Sequence, residues 1–573
     1  MSRTRIPASV PRVQVGRAVT FFKVVAADFD GTLTSSGKLD PEVLRAIDQA
    51  RSDGLTIVVA TGRIGAELHA EFPQLAEHVD ALILENGAVL WFDGQTEALA
   101  PPVGPDLDEA LAKRAIPYRR GEVLVAVDGK HQAAVAEVIG ELGMDYQQIR
   151  NRAALMVLPA GITKGTGLTA FLEKVNLSPH NTVAVGDAEN DLSLLAVAEV
   201  GAAVSDAVRS LRRSADVVLD EPGGAGVVGL LAGPYLSGAE RLCPPRHWLE
   251  IGAFEDGSPT RLPGSQARIL VGGPAASGKS YLVGLMAERW ISAGYCVLVI
   301  DPEGDHLQLQ QLGHVQVADG GLHPPEPAEL VNALRPNAGM VVDLSGLAEP
   351  TKTDYVHRLR STAEAHREQY GFPHWVIYDE AHLLGYAEEA HWARRGGYVL
   401  CSFAPAALPA HEADSSDVVL ALTSSDTATD LASRRRATIR FGSGPPREFT
   451  IGERHTRHVR HRHKYADIHL PAERRFYFHA TGLPTAAAAT MHDFSVALRH
   501  LDQQALEYHL ERGDFSRWLE GTIADKELAA RVAAWEDDLK AHRAADLERI
   551  RRQLVEAVEK RYLPSEEGQE ERR

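Results

Sequence analysis

From residue 21 to about 232, short apolar runs alternate with longer stretches whose apolar residues fall three or four apart. FFKVVAA (21–27), LTIVVA (55–60), ALIL (81–84) and TVAVG (182–186) read as buried strands, and 41–52 and 191–197 as helices. Such alternation predicts a parallel sheet covered on both faces. Gly and Pro concentrate around 221–234, and a connecting segment follows over 236–264. A second alternating block starts at ARILVGG (267–273) and continues through YCVLVID (295–301), GMVVDL (339–344), WVIYDE (375–380), YVLCSF (398–403) and DVVLALT (417–423). Beyond residue 454 the chain turns basic and His-rich. From about 492 to 562 it reads as helical, with Leu547, Ile550, Leu554, Val558 and Tyr562 on one face.

The predicted architecture is α/β. Two doubly wound parallel-sheet domains occupy 20–235 and 265–453, a basic segment occupies 454–480, and a small helical domain with a disordered tail occupies 481–573. A formal charge of −18 over 573 residues disfavours general nucleic-acid affinity but leaves room for a local basic patch. Cys243, Cys296 and Cys401 are far apart and lack C-x-x-C spacing, which argues against a disulfide framework or a zinc site and for a reducing cytoplasm. No apolar run is long enough to span a bilayer, and the N-terminal arginines precede no apolar block, so neither a membrane partner nor a secretory signal is expected.

Polar clusters sit just after the strands of the first block. These are Asp28-Phe29-Asp30-Gly31-Thr32, Thr61-Gly62-Arg63 and Gly186-Asp187-Ala188-Glu189-Asn190-Asp191, and Lys164 opens a helical stretch. Sites in open parallel sheets form outside the carboxyl ends of the strands, so these groups are expected to converge. Gathering Asp28, Asp30, Asp187 and Asp191 calls for a compensating hard cation such as Mg²⁺, with Lys164 adding one further positive charge. The two-residue spacing lets Asp28 and Asp30 share a space, one as carboxylate nucleophile and the other as proton carrier.

DFDGT, the threonine of ATGR, the isolated lysine and GDAEND, in this order, resemble the four motifs of the haloacid dehalogenase superfamily. The resemblance implies that Asp28 forms an aspartyl-phosphate and that Asp30 is the general acid/base. It also implies that Thr61 and Lys164 hold the phosphoryl group, and that Asp28 and Asp187 ligate Mg²⁺ with Asn190 and Asp191 in support. About a hundred residues separate Thr61 from Lys164, room for an α/β cap over about 86–160. ENGA (85–88) resembles the Cof-type subgroup, which implies a sugar phosphate or related small phosphorylated metabolite as substrate.

In the second block, Gly273-Pro274-Ala275-Ala276-Ser277-Gly278-Lys279-Ser280 fits G-x-x-x-x-G-K-[ST] between a strand and a helix. Gly273, Ala276, Ser277 and Gly278 would cradle phosphates of ATP, Lys279 would reach the β- and γ-phosphates, and Ser280 would ligate Mg²⁺. Asp379 suits a contact to that Mg²⁺ and Glu380 suits activation of water. GPAASGKS, VLVIDPEGDH (297–306) and VIYDEAHLL (376–384) resemble ATPases of the HerA/FtsK type. That resemblance implies a polar sensor after the next strand, where Ser402 fits and Phe403 departs, and often a ring-shaped oligomer with a shared arginine, for which Arg434, Arg435 and Arg436 are candidates. Residues 454–464 hold four arginines, one lysine and four histidines without an acid. They suit docking on an acidic face, nucleic-acid phosphates or, least of all, a metal on His455, His458, His461 and His463. The leading reading is a Mg²⁺-dependent phosphomonoesterase carrying an ATP-hydrolysing domain. The alternatives are a nucleic-acid-associated ATPase with an accessory phosphatase-like part, and a kinase–phosphatase pair.

Overall fold

The computed structural model describes residues 20–35, 37–151, 154–274, 277–319, 324–381, 396–402, 416–422, 436–456, 475–480, 483–523, 525–541 and 547–562. The chain divides into two compact units, 1–458 and 459–573.

The first unit contains two lobes. In the N-terminal lobe, eight strands run in the order Val217–Val218, Val200–Ala203, Thr182–Gly186, Val24–Asp28, Thr56–Ala60, Ala81–Leu84, Val89–Phe92 and Gln95–Ala98. The first six are parallel and the last two antiparallel. The all-parallel expectation therefore fails at one edge, because 89–98 returns as a hairpin before the cap begins. The central strands are buried end to end, as the unbroken apolar runs require of a sheet covered on both faces. The cap is a four-stranded antiparallel sheet (Tyr146–Asn151, Ala154–Pro159, Val125–Asp128, Tyr118–Arg120) with helices Pro105–Lys113 and Gln132–Leu142. It has its own core around Val103, Leu107, Val125, Val135 and Leu155. The cap thus starts some fifteen residues later than the 86 expected, after the edge hairpin.

The second lobe is an 11-stranded mixed sheet among the described residues. Its parallel part runs Val418–Ala421, Arg268–Gly272, Tyr398–Ser402, Trp375–Tyr378, Val297–Asp301, Gly339–Asp343 and Val315–Asp319. Four antiparallel strands extend one edge: Arg436–Phe441, Arg447–Ile451, Leu249–Phe254 and Pro259–Leu262. Segment 236–264 is consequently more than a connection, since it supplies two strands of this sheet. Trp290 stacks on Trp375 at 3.9 Å, and their indole N–H groups donate to the carbonyls of Pro263 and Gly264. Each ring buries a large apolar area without orphaning its polar atom.

The lobes meet at the amino ends of their strands. Asn181, just before Thr182–Gly186, donates to the Gly371 carbonyl at 3.1 Å and lies 3.1 Å from His374 Nε2. Lys23, just before Val24–Asp28, donates to the Glu368 carbonyl at 2.8 Å. Glu199, just before Val200–Ala203, accepts from Ser265 and Tyr295, which precede Arg268–Gly272 and Val297–Asp301. The carboxyl ends of the two sheets therefore face away from each other.

Among its described residues the second unit holds a hairpin, Phe476–Ala480 with Leu483–Ala488, and helices Met491–His500, Gln503–Arg512, Asp514–Gly521, Lys526–Ala541 and Leu547–Tyr562. The hairpin is absent from the purely helical expectation. Phe494, Phe515 and Trp518 are buried, packing around Phe476, whereas Tyr508 is exposed. Most of the basic segment, with His458, His461 and His463, lies outside the described residues. At its start, the His455 and Thr456 N–H groups donate to Glu288. No helix among the described residues is long and apolar enough to cross a membrane.

Candidate active site

Strand register explains why residues far apart in sequence meet. Asp28 pairs with Ala60 on one side, and Ala27 pairs with Val185 on the other. Asp28, Thr61 and Asp187 therefore leave the sheet within one residue of the same level. Lys164 comes in from the start of helix Lys164–Val175, whose entry is fixed by a capping box between Thr163 and Thr166.

The lysine is fully buried, and its ammonium donates to Asp28 Oδ1 and to Asp191 Oδ1, the latter at 2.6 Å. Asp191 Oδ2 accepts the backbone N–H groups of Asp187 and Ala188 at 3.0 Å each. Burial pushes the Asp28 carboxyl well above the usual aspartate range and the Asp191 charge adds to it, while Lys164 pulls it back. For Lys164, burial opposes the charge, but Asp191 and Asp28 together hold the ammonium above its ordinary value. Asp28, Asp187 and Asp191 bring carboxylate oxygens within 4.8 Å of one another. Three such oxygens with two buried donors fit a hard divalent cation.

Asp30 stands apart from that trio. Both its oxygens are taken by Arg63, Nε to Oδ2 at 2.8 Å and Nη2 to Oδ1 at 2.7 Å, and Arg63 also donates to Glu71. The guanidinium lies over Phe29 and Phe72, with its carbon 5.5 and 5.4 Å from the ring centres. Thr61 is buried, and its hydroxyl accepts from the Arg63 N–H at 3.1 Å. Of the metal-ligand set expected from sequence, the structure groups Asp28, Asp187 and Asp191 and pairs Asp30 with a cation of its own.

Two contributors escaped the sequence reading. Arg63 lies inside ATGR, yet only its threonine drew a role. Glu85, fully buried, accepts the N–H groups of Glu122, Val123 and Leu124 at 2.7, 2.8 and 2.9 Å. It sits at φ 52°, beside Asn86 at 57° and Gly87 at 107°. Three consecutive left-handed residues turn the chain back below Thr61 and aim one carboxylate into the cap. At Gly87 a Cβ would stand 1.9 Å from the Thr163 carbonyl, so only glycine lets this turn reach the Lys164 helix.

In the second lobe, Arg268–Gly272 runs into the glycine loop and helix Lys279–Ser292 follows. Gly278 takes φ 101°, and the Lys279 ammonium donates to the Pro274 carbonyl at 3.0 Å. Ala276 lies outside the described residues, whereas Gly273, Ser277 and Ser280 are placed along the loop and the first helical turn. Ile300 pairs with Tyr378, so Asp301 and Asp379 emerge at one level. His306 Nε2 lies 2.9 Å from Asp379, and Asp301 accepts the N–H groups of Asp305 and His306. Burial pushes Asp301 up to about 6, against the pull of His306. The Glu380 N–H donates to Asp379 at 3.1 Å, at φ 54°. Ser402 ends the strand between the two site-bearing strands and is buried. Phe403, Arg434 and Arg435 lie outside the described residues.

Residues 25–100 and 128–231 match the model of a family described as haloacid dehalogenase-like hydrolase. A phosphoglycolate phosphatase of Halorubrum lacusprofundi is 31% identical over 225 residues, which is 36% of this chain and 95% of that protein. Phosphoglycolate phosphatase 2 of Saccharolobus solfataricus is 30% identical over 217 residues, covering 36% of this chain and 90% of its own. A haloacid dehalogenase-like hydrolase of known structure from Bacteroides thetaiotaomicron aligns with 37% of this chain and 98% of its own, at 20% identity and a TM-score of 0.33.

Proposed function

Since the chain belongs, through residues 25–100 and 128–231, to the haloacid dehalogenase-like hydrolases, we propose that it hydrolyses a small phosphomonoester through an aspartyl-phosphate on Asp28. The observation that carries this reading is the buried Asp28–Lys164–Asp191 triad with Asp187 beside it. Phosphatases of this family use Mg²⁺. Asp28, Asp187 and Asp191 would hold the ion, and bound there it would offset the negative charge gathered by the phosphoryl oxygens and the carboxylates.

In this reading an Asp28 oxygen attacks phosphorus and the substrate's alcohol leaves, taking a proton from Asp30. Asp30 then accepts a proton from the water that attacks the aspartyl-phosphate. Lys164 and the Thr61 hydroxyl steady the phosphoryl group through both displacements. Arg63 holds the Asp30 carboxyl in place between the two proton transfers. The relatives are phosphoglycolate phosphatases, so a compact phosphorylated acid is the first substrate to test, beside sugar phosphates.

For the second lobe the proposal is ATP binding and hydrolysis, with Lys279 and Ser280 toward the phosphates and Asp379 and Glu380 toward Mg²⁺ and water. The glycine loop at a strand's carboxyl end and the acidic pair two strands away support it. A kinase–phosphatase pair that hands over one bound metabolite fits less well, because the lobes are joined at their amino ends and the two sites open on opposite sides.

The experiment is a Mg²⁺-dependent phosphate-release assay on p-nitrophenyl phosphate, 2-phosphoglycolate and a sugar-phosphate panel. Release by the wild type and its loss in Asp28→Asn are expected. Turnover that survives Asp28→Asn would sink the covalent route.

A further inference from the structure

Where the lobes join, His180, Glu199 and His247 bring ligand atoms within 4.8 Å of one another. Glu199 is wholly buried, and the two imidazoles are 11% and 18% exposed. The decisive feature is the pair of neighbours on His180. Its Nε2 lies 3.1 Å from the Ala293 carbonyl, and its Nδ1 lies 2.8 Å from Glu199 Oε2. Both neighbours are acceptors, and a neutral imidazole has only one N–H. In the tautomer that gives Nε2–H to Ala293, a lone pair on Nδ1 faces a carboxylate oxygen, and a positive charge between them satisfies both. That charge is either a second ring proton or a metal ion.

Three further observations favour the metal. His247 Nε2 is buried without a hydrogen-bond partner, 3.8 Å from the same Glu199 oxygen. A ligating histidine usually donates its other N–H to a carbonyl or carboxylate, which is what Ala293 receives. Two ligands on one tetrahedral zinc stand about 3.3 Å apart, given bonds of about 2.0–2.1 Å; the observed 2.8 and 3.8 Å bracket that spacing. Glu199 remains partly committed elsewhere, since Oε1 accepts from Ser265 at 2.5 Å and Oε2 from Tyr295 at 3.0 Å.

We propose that His180, Glu199 and His247 form a site for a zinc-class divalent ion that ties the N-terminal lobe to the second lobe. Two nitrogens and one carboxylate suit zinc or cobalt over Mg²⁺, which prefers oxygen donors. The ligands come from three separated segments, so C-x-x-C spacing in the sequence was no guide to them.

The test uses the full-length protein stripped with EDTA and then titrated with Zn²⁺ in excess Mg²⁺, which fills the hard carboxylate sites. One equivalent is expected to bind to the wild type and equally to Asp28→Asn, and at least a hundredfold more weakly to His247→Ala. Cobalt in its place should give the visible absorption of a tetrahedral complex. X-ray absorption of the zinc-loaded wild type, independent of any variant's folding, should show two imidazoles. No zinc retained, equal binding by a folded His247→Ala, or a zinc shell without imidazole each overturns the proposal.

Discussion

Arg63 grips Asp30 with two parallel hydrogen bonds of 2.8 and 2.7 Å while resting its guanidinium against Phe29 and Phe72. A planar fork makes such a grip and an ammonium does not. Arg63→Lys is therefore expected to lower kcat about tenfold with KM little changed, and Asp30→Asn to lower it by about 10²–10⁴. Steady-state kinetics on one substrate checks both. An Arg63→Lys enzyme with wild-type kcat would show that Asp30 needs no such hold.

Lys164 neutralises two buried carboxylates at once. Lys164→Met leaves Asp28 and Asp191 facing each other, and the loss should be about 3–5 kcal/mol in EDTA. Saturating Mg²⁺ should recover much of it, because the ion takes over part of the lysine's electrostatic role. Thermal unfolding with and without Mg²⁺ reads this directly, and equal losses in the two buffers would contradict it.

Glu85 joins the sheet to the cap through three backbone N–H groups. In Glu85→Ala those donors are stranded in a buried place, at about 1 kcal/mol or more each. The expected outcome is a destabilisation of about 3 kcal/mol and faster proteolysis within 101–160. Unchanged cleavage there would mean that the latch contributes little.

Asp301 is held up to about 6 by burial. An unfolded aspartate releases its proton near 3.9. Between those values the folded state binds more protons than the unfolded state, so stability falls as pH rises, by up to about 3 kcal/mol across the window. Comparing unfolding of the wild type and Asp301→Asn at pH 4 and pH 7 isolates this contribution. The variant should lose less stability on going from acid to neutral.

The two sites should be separable. Lys279→Ala is expected to leave phosphate release from p-nitrophenyl phosphate within twofold of wild type. Asp28→Asn should likewise leave nucleotide binding unaltered, as read by fluorescence of a labelled ATP. A tenfold effect in either direction would reveal coupling across the strand-end junction.

Much of this was legible in the residues. Apolar runs ending in Asp28, Thr61 and Gly186 located three strand ends, and register did the rest by bringing them level. Lys164 was placed by its helix-opening position. What local pattern could not show was partnership over distance. Arg63 and Glu85 act through groups 33 and 37 to 39 residues away, and no periodicity reports such pairings. The strands of 249–262 escaped notice because both are short and only partly buried, so their apolar signal is weak. The shared base of the two lobes was equally silent, since Asn181 and His374 look like ordinary turn residues until they face each other.

That shared base bears on how the chain comes apart. Asn181 donates to Phe21 and Gly371 and faces His374, so one amide side chain links three segments from two lobes. A fragment ending near residue 235 would bare Phe21, Glu199 and His180 to water and strand that amide. Melting of either half should strip the other of its footing, and calorimetry on the intact protein should find the pair dissolving as a single cooperative block.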